Sequence, residues 1–261
     1  MFHISKAIAP LLLLGSIAAC GSDANRSAPP SSPAAAPEAK KIDEAATGSI
    51  AGRVTIEGTV PPNTPIAMSS DPTCASANKN GAQTETFVVK DGGLENVFVY
   101  IKDDLGKKYV FDTPTTPVKI DQKGCHYVPH VVGVRVSQPL EITNSDNTLH
   151  NVHGMGHANR DFNFGQPVPG LKNTVTFTAP EVLMPIKCDV HSWMRAYIGV
   201  VNHPYFAVTA DGGKFELRAV PPGTYTVEAV HEKLGAQTQS VTLGDRENKE
   251  ITFTFKAAAA S

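Results

Sequence analysis

Pro185-Ile186-Lys187-Cys188-Asp189-Val190-His191-Ser192-Trp193-Met194 sets a cysteine, a histidine and a methionine at a C-x2-H-x2-M spacing. A partly β-branched apolar run with a proline precedes Cys188, and Tyr197-Ile198-Gly199-Val200-Val201 follows Met194. Both flanks have the composition of strands, which puts Cys188, His191 and Met194 on one tight connecting loop. A thiolate, an imidazole and a thioether form a soft donor set suited to copper, which cycles between Cu(I) and Cu(II). A trigonal plane of two imidazoles and a thiolate, with a weak axial Met, requires one more histidine from elsewhere in the chain.

Upstream, Asn144-Ser145-Asp146-Asn147-Thr148-Leu149-His150-Asn151-Val152-His153 offers two. In an extended segment, positions 150 and 153 face opposite ways, so only one of them can reach a given metal. H-N-V-H followed by C-x2-H-x2-M-R resembles the cupredoxins, most closely their amicyanin/plastocyanin-like, methylamine-utilisation type. The resemblance implies the metal ligands His150, Cys188, His191 and Met194 around a single type 1 copper ion. It also implies that Asn151 hydrogen-bonds across to the ligand loop, and that His191 reaches the surface as the electron exit. Trp193, the only tryptophan, would join that docking patch or shield the metal.

The likeness extends upstream. Tyr127-Val128-Pro129-His130 through Val136 and Leu140-Glu141-Ile142-Thr143-Asn144 read as two strands joined by Ser137-Gln138-Pro139. The family usually places Gly-Asp or Gly-Glu at that turn, so this chain departs from it there. From the residues alone, Cys188 and His191 also suit structural zinc, and Met194 also suits a core position. His126, His130, His153 and His157 stand near enough in sequence for a second metal site to stay open. His203 and His231 read as strand-end or surface residues, and Met155 and Met184 as packing.

Outside this region, Gly48-Ser49-Ile50-Ala51-Gly52-Arg53-Val54 and Asn96-Val97-Phe98-Val99-Tyr100 read as strands. After it come Asp211-Gly212-Gly213-Lys214-Phe215-Glu216-Leu217 and Pro221-Pro222-Gly223-Thr224-Tyr225-Thr226-Val227. Together they resemble the carboxypeptidase regulatory-like, transthyretin-like domain, a name that describes a fold and not an activity. The expected fold is therefore all-β: a Greek-key cupredoxin β-sandwich at 113–203, inserted into a prealbumin-like β-sandwich made of 48–112 and 204–256. Three consecutive β units are the alternative order.

Composition agrees with short strands and turns. The 261 residues include 21 Gly and 20 Pro, charged residues are 18%, and net charge is −2. These values exclude a coiled coil or a charge-driven disordered chain and argue against a nucleic-acid groove.

The N-terminal stretch has a lysine at position 6, the apolar run Ile8 to Leu14, and small residues ahead of Cys20. This reads as a secretory signal over 1–19. Its I-A-A-C ending resembles a bacterial lipobox, which implies lipidation of Cys20. Gly21 then implies the periplasmic side of the outer membrane or the cell surface. Residues 20–47, rich in Ala, Pro and Ser, read as a flexible tether, and 257–261 as a tail.

Of four cysteines, three remain after Cys20 in an oxidising compartment. Assigning Cys188 to the metal leaves Cys74 to pair with Cys125. Two free thiols, or a metal site on Cys125 and His126, are the alternatives. The expected function is single-electron transfer between redox proteins, with no enzymatic activity. A non-redox copper-storage lipoprotein and a surface carbohydrate-binding or adhesion module are the other readings.

Overall fold

The computed structural model describes residues 39–257. The expected signal peptide, Cys20, the greater part of the tether and residues 258–261 lie outside the described residues. The fold is all-β, built from two sandwiches. Among the described residues, no helix is long and apolar enough to cross a membrane.

The base sandwich draws on both ends of the described chain. In one sheet Gly48–Glu57 lies antiparallel to Lys214–Val220 and parallel to Asn248–Lys256 along nine residue pairs. The facing sheet runs Phe206–Val208, Phe98–Ile101, Gly223–His231 and Gly235–Leu243. Alternation along Gly48–Glu57 and Asn248–Lys256 turns Ile50, Val54, Phe253 and Phe255 inward, where they meet Leu217, Val227 and Leu243.

The site sandwich consists wholly of strands between residues 118 and 201. One sheet orders Lys172–Val175, Leu140–Asn144, Val118–Gln122 and Tyr127–Val128. The other orders Phe162–Gln166, His150–Gly154, Glu181–Lys187, Arg195–Val201 and Val131–Arg135. Ile120, Leu140, Ile142, Val152, Ile186 and Ile198 fill the space between them. The segments on either side of residues 118–201 pair with each other, so the site sandwich interrupts the base sandwich in sequence.

The seam between the sandwiches depends on two adjacent glycines. Gly133 and Gly199 are direct partners in a parallel pair of strands. A Cβ on Gly133 would stand 2.2 Å from the Phe206 ring, and one on Gly199 would stand 2.4 Å from Phe98. The bare backbone thus makes a flat recess that receives the two phenyl rings of the base sandwich. Val131, Val201 and Tyr100 complete this apolar layer. Beside it, His130 Nε2 meets Glu232 Oε1 at 2.6 Å, and the Tyr197 hydroxyl donates to Glu232 Oε2 at 2.7 Å.

For His203 and His231 the surface reading needs correction, while His231 does end its strand. His203 and His231 are not surface residues; they are 2% and 1% exposed. Their Nε2 atoms lie 2.8 and 2.9 Å from the carbonyls of Ile101 and Thr86. The unusual turn at Ser137-Gln138-Pro139 works because Ser137 adopts a left-handed backbone (φ 66°) and the Gln138 side chain accepts from Arg135 N–H.

Candidate metal centre

At one pole of the site sandwich, the strand His150–Gly154 and the loop after Glu181–Lys187 bring His150, Cys188 and His191 together. One donor atom from each lies within 4.8 Å of the others. His150 is 0%, Cys188 2% and His191 3% exposed. His150 points inward because alternation along its strand buries positions 150, 152 and 154. His153 points out and meets Asp189 at 2.9 Å.

The imidazole orientations follow from what each ring touches. His150 Nε2 lies 2.9 Å from Asp146 Oδ2, and His191 Nε2 lies 3.1 Å from Asp71 Oδ2. A carboxylate accepts only, so each Nε2 carries a hydrogen and each Nδ1 is left for the pocket. The two Nδ1 atoms face each other at 3.0 Å, and His191 Nδ1 is 3.8 Å from Cys188 Sγ. Two nitrogen lone pairs cannot sit that close unaided; a proton or another cation must lie between them.

Cys188 Sγ also accepts the N–H groups of Asn151 at 3.4 Å and His191 at 3.3 Å. Burial acts to raise the pKa of this thiol, but His150 and the N–H groups of Asn151, His191 and Val190 outweigh it and hold it below its ordinary value. For His150, burial acts to lower the pKa, and Asp146 and Cys188 overcome that to lift it to about 9. Asp71 is driven down to about 2: its burial, which opposes this, is outweighed by bonds from Thr148, Cys74, His191 and Thr73.

Asn151 bridges to the ligand loop through its Oδ1, which accepts Asp189 N–H at 2.7 Å. Its Nδ2 donates to Asn163. Met194 is buried in the same loop, which is closed by bonds from Cys188 N–H to the Met194 carbonyl and from Met194 N–H to the His191 carbonyl. Trp193 is half-buried, with its ring 5.0 Å from that of His191 and its indole N–H on the Cys125 carbonyl.

The structure departs from the expected exit. His191 does not reach the surface. A strap of residues 63–83, carrying the short helix Pro72–Ala77, lies over its outer edge, with Cys74 Sγ 3.8 Å from its Nε2. Cys74 is joined to Cys125 in a disulfide, and Cys188 is the free cysteine among the described residues. His126 bonds the Gly124 carbonyl, His130 bonds Glu232, and His157 is exposed. Among the described residues these histidines do not assemble into a second cluster of their own.

The carboxylates Asp71 and Asp146 were not anticipated. Asp146 lies four residues before His150, a spacing that could have flagged it; Asp71 is 120 residues from His191 and carries no local signal.

The donor set fits a soft metal ion. It holds a thiol whose pKa lies below its ordinary value and two imidazoles whose Nδ1 atoms meet beside it, each ring steadied by a carboxylate in the manner of metal-bound histidines.

No family model matches this chain, and no curated protein matches it. Several solved structures show a likeness to part of it. The copper-containing nitrite reductase of Thermus scotoductus is 21% identical over 36% of this chain, with a TM-score of 0.31. The chain spans 23% of that enzyme's length. A methionine-to-glutamine mutant of amicyanin in its Cu(I) form is 20% identical over 32% of this chain and 81% of its own, at 0.28. A purple cupredoxin from Nitrosopumilus maritimus is 19% identical over 31% of this chain and 97% of its own, at 0.27. These partial likenesses concern shape alone.

Proposed function

We propose that this protein is a type 1 copper protein that passes single electrons between redox partners. It would be held by lipid at Cys20 on the periplasmic side of the outer membrane or at the cell surface. One observation carries the copper reading: His150 Nδ1, His191 Nδ1 and Cys188 Sγ converge in a buried pocket while both outer nitrogens are held by carboxylates. Zinc binds the same donor types. A thiolate with two imidazoles and a buried methionine on the same loop favours copper.

Bound copper would supply the one-electron step between Cu(II) and Cu(I). The chain's part is to keep the donors in place through it. Asp146 and Asp71 keep the Nδ1 atoms turned inward, and two main-chain N–H groups fix the sulfur. Burial keeps bulk water from the pocket. Trp193, in contact with His191 and half-exposed, would be the way out for the electron, and contact with partners would be brief.

A second reading, a copper-holding lipoprotein with no redox partner, is favoured by the covered edge of His191. A visible spectrum of the copper-loaded full chain, titrated with a reductant, tests the first. An intense thiolate-to-copper band that bleaches on reduction supports it. Copper bound without that band leaves the storage reading, and no binding at all removes both.

A further inference from the structure

By sequence, the strap of residues 63–83 belongs to the base sandwich, since it follows Gly48–Glu57 and precedes Val89–Lys90. It packs instead on the site sandwich, where Met68 and Cys74 join the apolar cluster of Ile120, Tyr127 and Cys188. Several bonds attach it there. Thr148 Oγ1 donates to Asp71 Oδ2 at 2.7 Å, Asn78 Nδ2 donates to the Gly124 carbonyl at 2.9 Å, and Cys74 is bonded to Cys125.

Asp71 divides its two oxygens. Oδ1 accepts the N–H groups of Thr73 and Cys74 at 2.7 and 3.1 Å, as the N-cap of the short helix. Oδ2 takes the Thr148 hydroxyl and His191 Nε2. With four donors on two oxygens, the carboxylate has one orientation available. The corner at Cys125 is tied in the same way: Asp146 accepts the N–H groups of Gly124 and Cys125, both at 2.7 Å, while it holds His150. The disulfide therefore joins the segment that carries Asp71 to the corner that Asp146 holds.

We propose that Asp71 is a positioning residue for the metal centre: kept in place by the strap and its disulfide, it holds His191 with Nδ1 turned inward and Nε2 closed to solvent. What the ring is positioned for rests on the copper reading; its orientation is a property of the metal-free chain. A ring whose Nε2–H is engaged cannot turn over to offer Nε2 to the pocket. With the strap down, a chelator reaches the ligands only after Asp71 moves away.

Full-length Asp71→Ala, Asp71→Asn and the double variant Cys74→Ser/Cys125→Ser are compared with wild type in two measurements. Ring-nitrogen NMR of the metal-free proteins reports which His191 nitrogen holds the hydrogen. Wild type should show Nε2–H; Asp71→Ala should show a mixture, and so should Asp71→Asn, whose single amide oxygen cannot cap the helix and accept from His191 Nε2–H at once. Removal of Cu(II) by EDTA should be about 10–100-fold faster from Asp71→Ala, the range typical for lost outer partners of metal ligands. It should also be faster from the double variant and from Asp71→Asn. An unchanged tautomer with an unchanged rate in Asp71→Ala overturns the proposal. A double variant as slow as wild type overturns the part given to the disulfide. If wild type shows the Asp71-dependent tautomer but no thiolate-to-copper band, the copper reading fails and the positioning role stands. Should Asp71→Ala not fold, Thr148→Val loosens the same oxygen and is read in the same two measurements.

Discussion

Among the described residues four histidines are at most 3% exposed, and the two sandwiches use them in opposite ways. In the base sandwich, His203 and His231 are satisfied by main chain. Their Nε2 atoms donate to the Ile101 and Thr86 carbonyls, and their Nδ1 atoms accept the N–H of Tyr205 and those of Lys233 and Leu234. Both nitrogens are occupied and the ring stays neutral; burial, the largest influence, pushes His203 down to about 4. In the site sandwich, His150 and His191 give Nε2–H to carboxylates and leave both Nδ1 atoms facing each other beside a thiol. Burial alone therefore does not mark a functional histidine. What sets His150 and His191 apart is that each Nδ1 faces the other ring and a thiol, not main chain.

The largest effect that would test this contrast comes from the thiol. Cys188→Ser should abolish the thiolate-to-copper band altogether, with folding retained at a cost of about 1–2 kcal/mol; far-UV circular dichroism and chemical unfolding check both. Survival of the band would place the metal elsewhere.

At the seam, Phe98→Ala should cost about 3–5 kcal/mol in denaturant unfolding, because it empties the recess over Gly199. The band maximum should not move, since that ring belongs to the other apolar layer. A shifted band would mean that the two regions are coupled.

Acid and alkali should separate the two kinds of histidine in the metal-free protein. His203 titrates near 6.5 when unfolded and near 4 when folded. The unfolded chain then binds the extra proton, so stability should fall by up to about 3 kcal/mol as pH drops between those values. His150 has the opposite sign. Raised to about 9, it stabilises fully below its unfolded value of 6.5, and that contribution should be lost, again up to about 3 kcal/mol, as pH climbs to about 9. Unfolding curves of His203→Gln and His150→Gln across pH should each flatten one limb only. The smallest expected effect is that of His153→Gln, which should leave both the band and the melting temperature unmoved. A shifted band there would put the wrong histidine of His150–Gly154 at the metal.

Much of this was legible in the chain. C-x2-H-x2-M between two strand-like runs, and two histidines three apart on a third, locate the cluster because strand alternation is a local property that needs no knowledge of the fold. The seam was not legible. Gly133 and Gly199 read as ordinary strand glycines until their pairing sets them side by side beneath Phe98 and Phe206. The burial of His203 and His231 was not legible for a related reason: a histidine whose partners are main-chain carbonyls far away in sequence leaves no pattern around itself.

The sequence by itself determined that the chain is all-β, which residues line one loop, and that positions 150 and 153 look opposite ways. Each of these follows from side-chain chemistry and a two-residue repeat. Only the tertiary structure decided that His191 lies under a strap from the other sandwich, and that Asp71 holds it across 120 residues of chain. Contacts of that kind depend on how separate sheets pack, and packing brings together residues whose sequence neighbours carry no mark of the meeting.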